Sequence, residues 1–189
     1  MLIDIETTPN PATLKFLPGR SVMGNNTPLN FSSRDEVEGR SPLAEKLFSI
    51  AEVKLVFLGH DFVSVTKADN ADWSEVRPLI LAALTSFLES GQAFFIAQNS
   101  PESQDVSLPP EEEEVISRIK DLLDTRVRPA VAGDGGDIVF RNFKDGIVYL
   151  TMHGACAGCP SSKATLRHGV ETMLRHYVPE VSGVEQVEG

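Results

Sequence analysis

Asp137-Ile138-Val139-Phe140-Arg141-Asn142-Phe143, then Lys144-Asp145-Gly146, then Ile147-Val148-Tyr149-Leu150-Thr151-Met152 form two apolar runs around a turn. Asp-Gly between two such runs is a strong short-range hairpin signal, because both turn positions favour a positive φ. Directly after it comes His153-Gly154-Ala155-Cys156-Ala157-Gly158-Cys159-Pro160-Ser161-Ser162. Pro160 suits the first position of a helix, which puts Cys159 at its cap and both sulfurs near its N-terminus. Unsatisfied N–H groups and the positive end of the helix dipole favour thiolate over thiol there, and Lys163 and Arg167 add positive charge one or two turns on.

Working outward toward the C-terminus, Leu166, Val170, Met173, Leu174 and Tyr177 recur at helical spacing, and Val181, Val184 and Val187 suggest a last short strand. In the other direction, Asp134-Gly135-Gly136-Asp137 reads as a glycine-enabled turn into the hairpin, with Asp137 pinning backbone groups. It has too few oxygen donors for a calcium loop. Upstream, Glu111 to Glu114 follow Pro109-Pro110 and precede Val115, Ile116, Ile119, Leu122 and Leu123 at helical spacing, so these acids belong to a first helical turn, where they complement the dipole. The order is helix, hairpin, cysteine loop, helix, strand.

Residues 98–110 are rich in Ser, Pro and acids, with too little apolar material to bury, and read as a linker. Before it, Leu2, Ile3 and Ile5, the turn-rich Thr7-Thr8-Pro9-Asn10-Pro11, and Leu14, Phe16 and Leu17 suggest two strands. Ser41-Pro42 opens a short helix, and Val53–Leu58 and Phe62–Thr66 flank Gly59-His60-Asp61 as a hairpin. Asp72, with Glu75 three residues on, caps a helix carrying Val76, Ile80, Ala83, Leu84 and Phe87 and closed by Gly91. Residues 92–97 carry no clear pattern. The expected fold class is therefore α+β: a first small domain at 1–97, an acidic Pro/Ser-rich linker at 98–110, and a second small domain at 111–189.

The chain of 189 residues has a net charge of −10, divided as −4 over residues 1–97, −6 over 98–114 and 0 beyond. An acidic chain without a basic, aromatic-studded stripe does not suit nucleic acid. Its longest apolar run, Leu79 to Leu84, falls far short of the ~20 residues that span a bilayer. Two cysteines three positions apart, without a secretory pattern ahead of them, indicate a reducing compartment. This favours a bacterial cytoplasm, or a mitochondrial matrix if the source is eukaryotic.

One C-x-x-C pair provides two ligands, whereas zinc structural sites and iron-sulfur clusters usually take four. With no third cysteine in the chain, a symmetric dimer is needed to complete a set of thiolates. His153 is the nearby alternative ligand, although a lone histidine at a strand end is more often structural. The pair is also compatible with a thiol-disulfide oxidoreductase, or with a zinc-linked dimerisation module. Gly154 and Gly158 permit the close backbone approach that an inorganic sulfide requires. No phosphate loop, dinucleotide fingerprint or serine-histidine-carboxylate pattern points to another enzyme.

The residues around the cysteines carry a resemblance. Val127-Arg128-Pro129, Asp134-Gly135-Gly136-Asp137, Gly154-x-Cys156-x-Gly158-Cys159-Pro160-Ser161-Ser162 and Thr165-Leu166-x-x-Gly169-Val170-Glu171 resemble the C-terminal domain of the NifU family, over about the last 75 residues. Thr7-Thr8-Pro9-Asn10-Pro11-Ala12-Thr13-Leu14-Lys15-Phe16 is similar to the N-terminal domain of the Nfu-type carriers. The resemblance implies a non-enzymatic carrier that holds one 4Fe-4S cluster per homodimer through Cys156 and Cys159. Its implied partners are an upstream cluster scaffold and apo iron-sulfur proteins. The additional cysteines of the separate scaffold and ferredoxin-like domains of the longest NifU proteins do not occur in this sequence, so a carrier is expected rather than a primary assembly site. The N-terminal unit, which has no cysteine, is expected to recognise clients or tune the dimer.

Overall fold

The computed structural model describes residues 3–24, 26–96, 110–158 and 160–187, so most of the expected linker lies outside the described residues. Two α+β domains are present, each built on its own sheet.

The first sheet contains β1 (Asp4–Thr7), β2 (Thr13–Leu17), β3 (Leu29–Phe31), β4 (Val53–Leu58) and β5 (Val63–Lys67), all antiparallel, in the order β1-β2-β5-β4-β3. Strand β3 was not foreseen, since three residues are too few to show a period. Helix α1 (Pro42–Leu47) starts where Ser41-Pro42 predicts: Ser41 Oγ accepts from Ala44 N–H at 3.0 Å and donates to the Phe94 carbonyl at 2.6 Å. That second bond explains residues 92–96, which fold back to bury Phe94 against Phe87. Helix α2 (Trp73–Ser90) is capped by the Asp72 carboxylate, which accepts from Ser74 N–H, and ends at Gly91 with φ of 67°. Its buried stripe of Val76, Ile80, Leu84 and Phe87 covers one sheet face, where Leu14, Phe16, Val56, Val63 and Val65 point.

The opposite face has a different composition. Strand registers place Lys15, Ser64, Phe57 and Asn30 in one row across β2, β5, β4 and β3. Since side chains alternate between faces, this row points away from α1 and α2. Ser64 is nonetheless fully buried and Phe57 nearly so, because the second domain packs over them.

In the second domain α3 (Pro110–Leu122) begins at the end of the expected linker. It passes through a wider π-helical turn at Leu123–Val127 into α4 (Arg128–Gly133). Pro129 accounts for the widening: it has no N–H for the carbonyl four residues back, and its ring crowds that position. The hairpin β6 (Gly136–Lys144) and β7 (Ile147–Gly154) turns at Asp145 and Gly146 with φ of 52° and 78°, as the Asp-Gly signal requires. A single helical turn, α5 (Ala155–Gly158), follows, then α6 (Pro160–Tyr177) and β8 (Gly183–Gln186), which runs parallel to β7. Ile119, Leu123, Ile138, Val148, Leu150 and Leu174 form the centre of this core. Tyr177, placed on the apolar face of α6 by its spacing, is instead 45% exposed and lies against the Arg126 guanidinium.

Candidate functional site

The residue that ends β7 sets up the site. Gly154 has φ of 65°, a conformation that turns the chain sharply into α5, and a Cβ on it would stand 2.6 Å from the Gly135 carbonyl. That carbonyl also accepts from Ala155 N–H at 3.2 Å, so the Gly135-Gly136 segment and the cysteine turn are clasped together. Cys156 then packs on Gly136, where an added Cβ would lie 2.8 Å from Sγ and 2.6 Å from the His153 carbonyl. Cys156 is only 4% exposed. The expected cysteine loop is here a helical turn, with the Cys156 sulfur packed on Gly136. Cys159 and the side chain of Lys163 lie outside the described residues, while Pro160 opens α6 as expected.

One charged side chain has a different role from that expected. Asp137 holds Arg128 rather than backbone groups: Nε and Nη2 of Arg128 donate to its two carboxylate oxygens at 2.9 Å each, and Nη1 donates to Asp124 at 3.0 Å. The Asp137 carboxylate raises the guanidinium pKa further above its ordinary value. The π turn brings Asp124 onto the same arginine as Asp137, tying the α3–α4 helices to the start of β6. Nε of Arg167 donates to the Val184 carbonyl at 2.8 Å, fastening α6 to β8.

His153 is half-buried, and burial, followed by the nearby Arg141 charge, pulls its pKa below the usual histidine range against the opposing pull of Asp137. Its neutral imidazole is the form that could ligate a metal. Among the described residues, however, no three His, Cys, Asp or Glu side chains converge as a metal site.

The first domain reaches this end of the second at three places. Ser64 Oγ donates to the Gly135 carbonyl at 2.6 Å, Asn10 Nδ2 donates to the Ala155 carbonyl at 3.3 Å, and Gly154 N–H donates to Asn30 Oδ1 at 3.3 Å. A cavity of about 330 Å³ remains at this seam, with Pro9 and Asn10 on one side and Asp134, Cys156, Thr165 and Leu166 on the other. Sequence reading did not assign Ser64, Asn10 or Asn30 to the site. Ser64 had a signal, as a polar residue between two valines of a strand; Asn10 was absorbed into a proline-flanked turn, and Asn30 sits on the unforeseen β3.

The molecule is thus a two-domain α+β protein with a cysteine-bearing turn at the seam between its domains. Residues 3–91 match the family model described as the Nfu/NifU scaffold protein N terminal, and residues 119–185 match the NifU-like domain. The chain is 45% identical over 187 residues to the NFU1 iron-sulfur cluster scaffold homolog, mitochondrial, of Drosophila ananassae, covering 99% of this chain and 64% of that protein. Against NifU-like protein 4, mitochondrial, of Arabidopsis thaliana the identity is 46% over 188 residues, covering 98% and 66%. Against the human NFU1 iron-sulfur cluster scaffold homolog, mitochondrial, it is 45% over 188 residues, covering 99% and 72%. The chain belongs to the Nfu/NifU family, and it spans about two thirds of the length of these relatives. Among the described residues no helix is long and apolar enough to cross a membrane.

Proposed function

We propose that this protein is a non-enzymatic carrier in iron-sulfur protein maturation. It holds a 4Fe-4S cluster as cargo on the thiolates of Cys156 and Cys159 from two subunits, and releases it to apo-proteins. The observation that carries the reading is the donor count: the chain has two cysteines, three positions apart, and no further cluster of metal-binding side chains among its described residues. Thiolates are the ligands iron-sulfur clusters take, usually four at a time, so two copies of this turn make one set. Gly136 and Gly154 support the fit, because each lets the backbone approach the cysteine turn more closely than a Cβ would allow. The names of the relatives support the cargo. The division into an N-terminal domain at 1–97, a linker at 98–110 and a cluster-binding domain at 111–189 belongs to the same proposal.

Shared ligation gives the carrier its chemistry. An incoming client thiolate replaces one carrier thiolate at a time, and separation of the subunits removes half of the ligands at once. Cluster affinity and dimerisation are therefore linked, because cargo that binds only the dimer stabilises it by mass action. An upstream scaffold is the donor and an apo-protein lacking its cluster is the acceptor.

The test is transfer. Protein reconstituted anaerobically and mixed with an apo-enzyme that requires a 4Fe-4S cluster is expected to activate it while losing its own visible absorption, even with an iron chelator present. Zinc has a closed shell and gives no such absorption. A colourless, zinc-loaded dimer, or activation abolished by the chelator, contradicts the carrier reading.

A further inference from the structure

The seam beside the cysteine turn is built from an unusual surface. The sheet face that closes it carries Ser64 and Asn30 beside Phe57, with Lys15 in the same cross-strand row, and the two polar side chains bond only backbone atoms of the glycine and cysteine turns. Phe57, 1% exposed, belongs to neither domain's apolar core, although a Cβ on Gly154 would come within 3.1 Å of its ring. Seams between domains that move apart have this polar character, whereas permanent ones are predominantly apolar. Among the described residues three hydrogen bonds cross it, and the Phe57 ring lies against Gly154. Each of those bonds ends within two residues of Cys156 or on Gly135, which clasps the cysteine turn.

We infer that the N-terminal domain is a removable cover over the cysteine turn: in the closed chain it occupies the side of Cys156 that a second subunit must approach, and it lifts for the cluster to be shared. This rests on the carrier reading above and adds a gate to it. Pro9 and Asn10 wall one side of the cavity beside Cys156, so the seated first domain narrows the approach to that side. Asn10 links the cover to the turn in a way that can be tested without disturbing the loop. Its Oδ1 accepts from Ala12 N–H at 3.0 Å within its own turn, while its Nδ2 makes the contact to Ala155. Asn10→Asp keeps the first bond and sets an acceptor against the Ala155 carbonyl in place of a donor.

The experiment uses the full apo-chain. In a Cys159→Ser background, the rate of maleimide labelling at Cys156 is compared with Asn10→Asp and, separately, with Ser64→Ala/Asn30→Ala, alongside hydrogen exchange of the Gly154 amide. Loss of one net hydrogen bond corresponds to about a fivefold change in the open fraction, so labelling should rise about fivefold in the first variant and more in the second. In chains retaining both cysteines, the same substitutions should speed cluster uptake by a similar factor with the final iron content unchanged. Unchanged labelling and exchange in both variants overturn the cover. Faster labelling with slower or lost uptake also overturns it, since the N-terminal domain would then be part of the site. Wild-type protein that takes up no cluster overturns the carrier reading and with it the gate, while the labelling rates separately report whether the seam opens.

Discussion

Replacing Gly136 by alanine places one methyl group where the structure has no room for it. The new carbon would meet the His153 carbonyl at 2.6 Å, Cys156 Sγ at 2.8 Å and Cys156 N at 3.2 Å, whereas ordinary contacts start near 3.4 Å. The carbonyl cannot swing aside as a long side chain would, because His153 is paired with Asp137 in the β6–β7 ladder. Either the hairpin end or the cysteine turn has to move by most of an ångström. Overpacking of this kind costs about 1–3 kcal/mol. At about 2 kcal/mol, protection of the Val148 and Leu150 amides in global opening should fall about 30-fold, read by native-state hydrogen exchange. Because the sulfur is among the displaced atoms, cluster retention should fall as well. An alanine variant with protection within about twofold of wild type and full iron content would refute the close packing of Cys156 on Gly136.

The Arg128–Asp137 pair gives a second test. Arg128→Met leaves a carboxylate that is 4% exposed without its bidentate partner. Discounted for the partly exposed arginine, the loss should be about 2 kcal/mol in denaturant unfolding of the second domain, with much of it recovered by adding Asp137→Leu. A double variant as unstable as the sum of the singles contradicts this account. The lowered pKa of His153 makes a prediction about pH. The unfolded chain takes up a proton on this residue near pH 6.5 while the folded chain resists it, so stability is full above that pH and declines as pH falls below it. Denaturation midpoints at pH 7.5 and 5.5 should therefore differ less in His153→Gln than in wild type. Equal differences would mean that His153 does not contribute.

Much of the second domain was legible because its signals are local. Asp145-Gly146 dictates a turn through backbone conformation alone, Pro160 opens a helix because it has no N–H to lose there, and Val170 and Leu174 repeat at helical spacing. The π turn was not legible, although Pro129 was in view, because a proline at a helix start and one that widens a continuing helix look alike in sequence. Asp137 was read as a backbone anchor because its partner, Arg128, is on another element, and sequence spacing does not report that contact. Cys156 and Cys159 stood out as the chain's only cysteines, but the burial of Cys156 did not. Nor did the seam around its turn, where Ser64, Phe57 and Asn30 from three strands of the other domain, aligned in one row by the sheet register, meet Gly135 and Gly154. Contacts of such sequence separation leave no periodic trace.

The central claim is that two copies of this chain share one cluster through Cys156 and Cys159. Anaerobic reconstitution with iron and sulfide, with both elements counted and the subunit mass measured, tests it most directly. The account predicts about four irons and four sulfides per dimer, lost on Cys156→Ala and equally on Cys159→Ala. A reconstituted protein that stays a colourless monomer, or one that keeps its cluster without either cysteine, would contradict it.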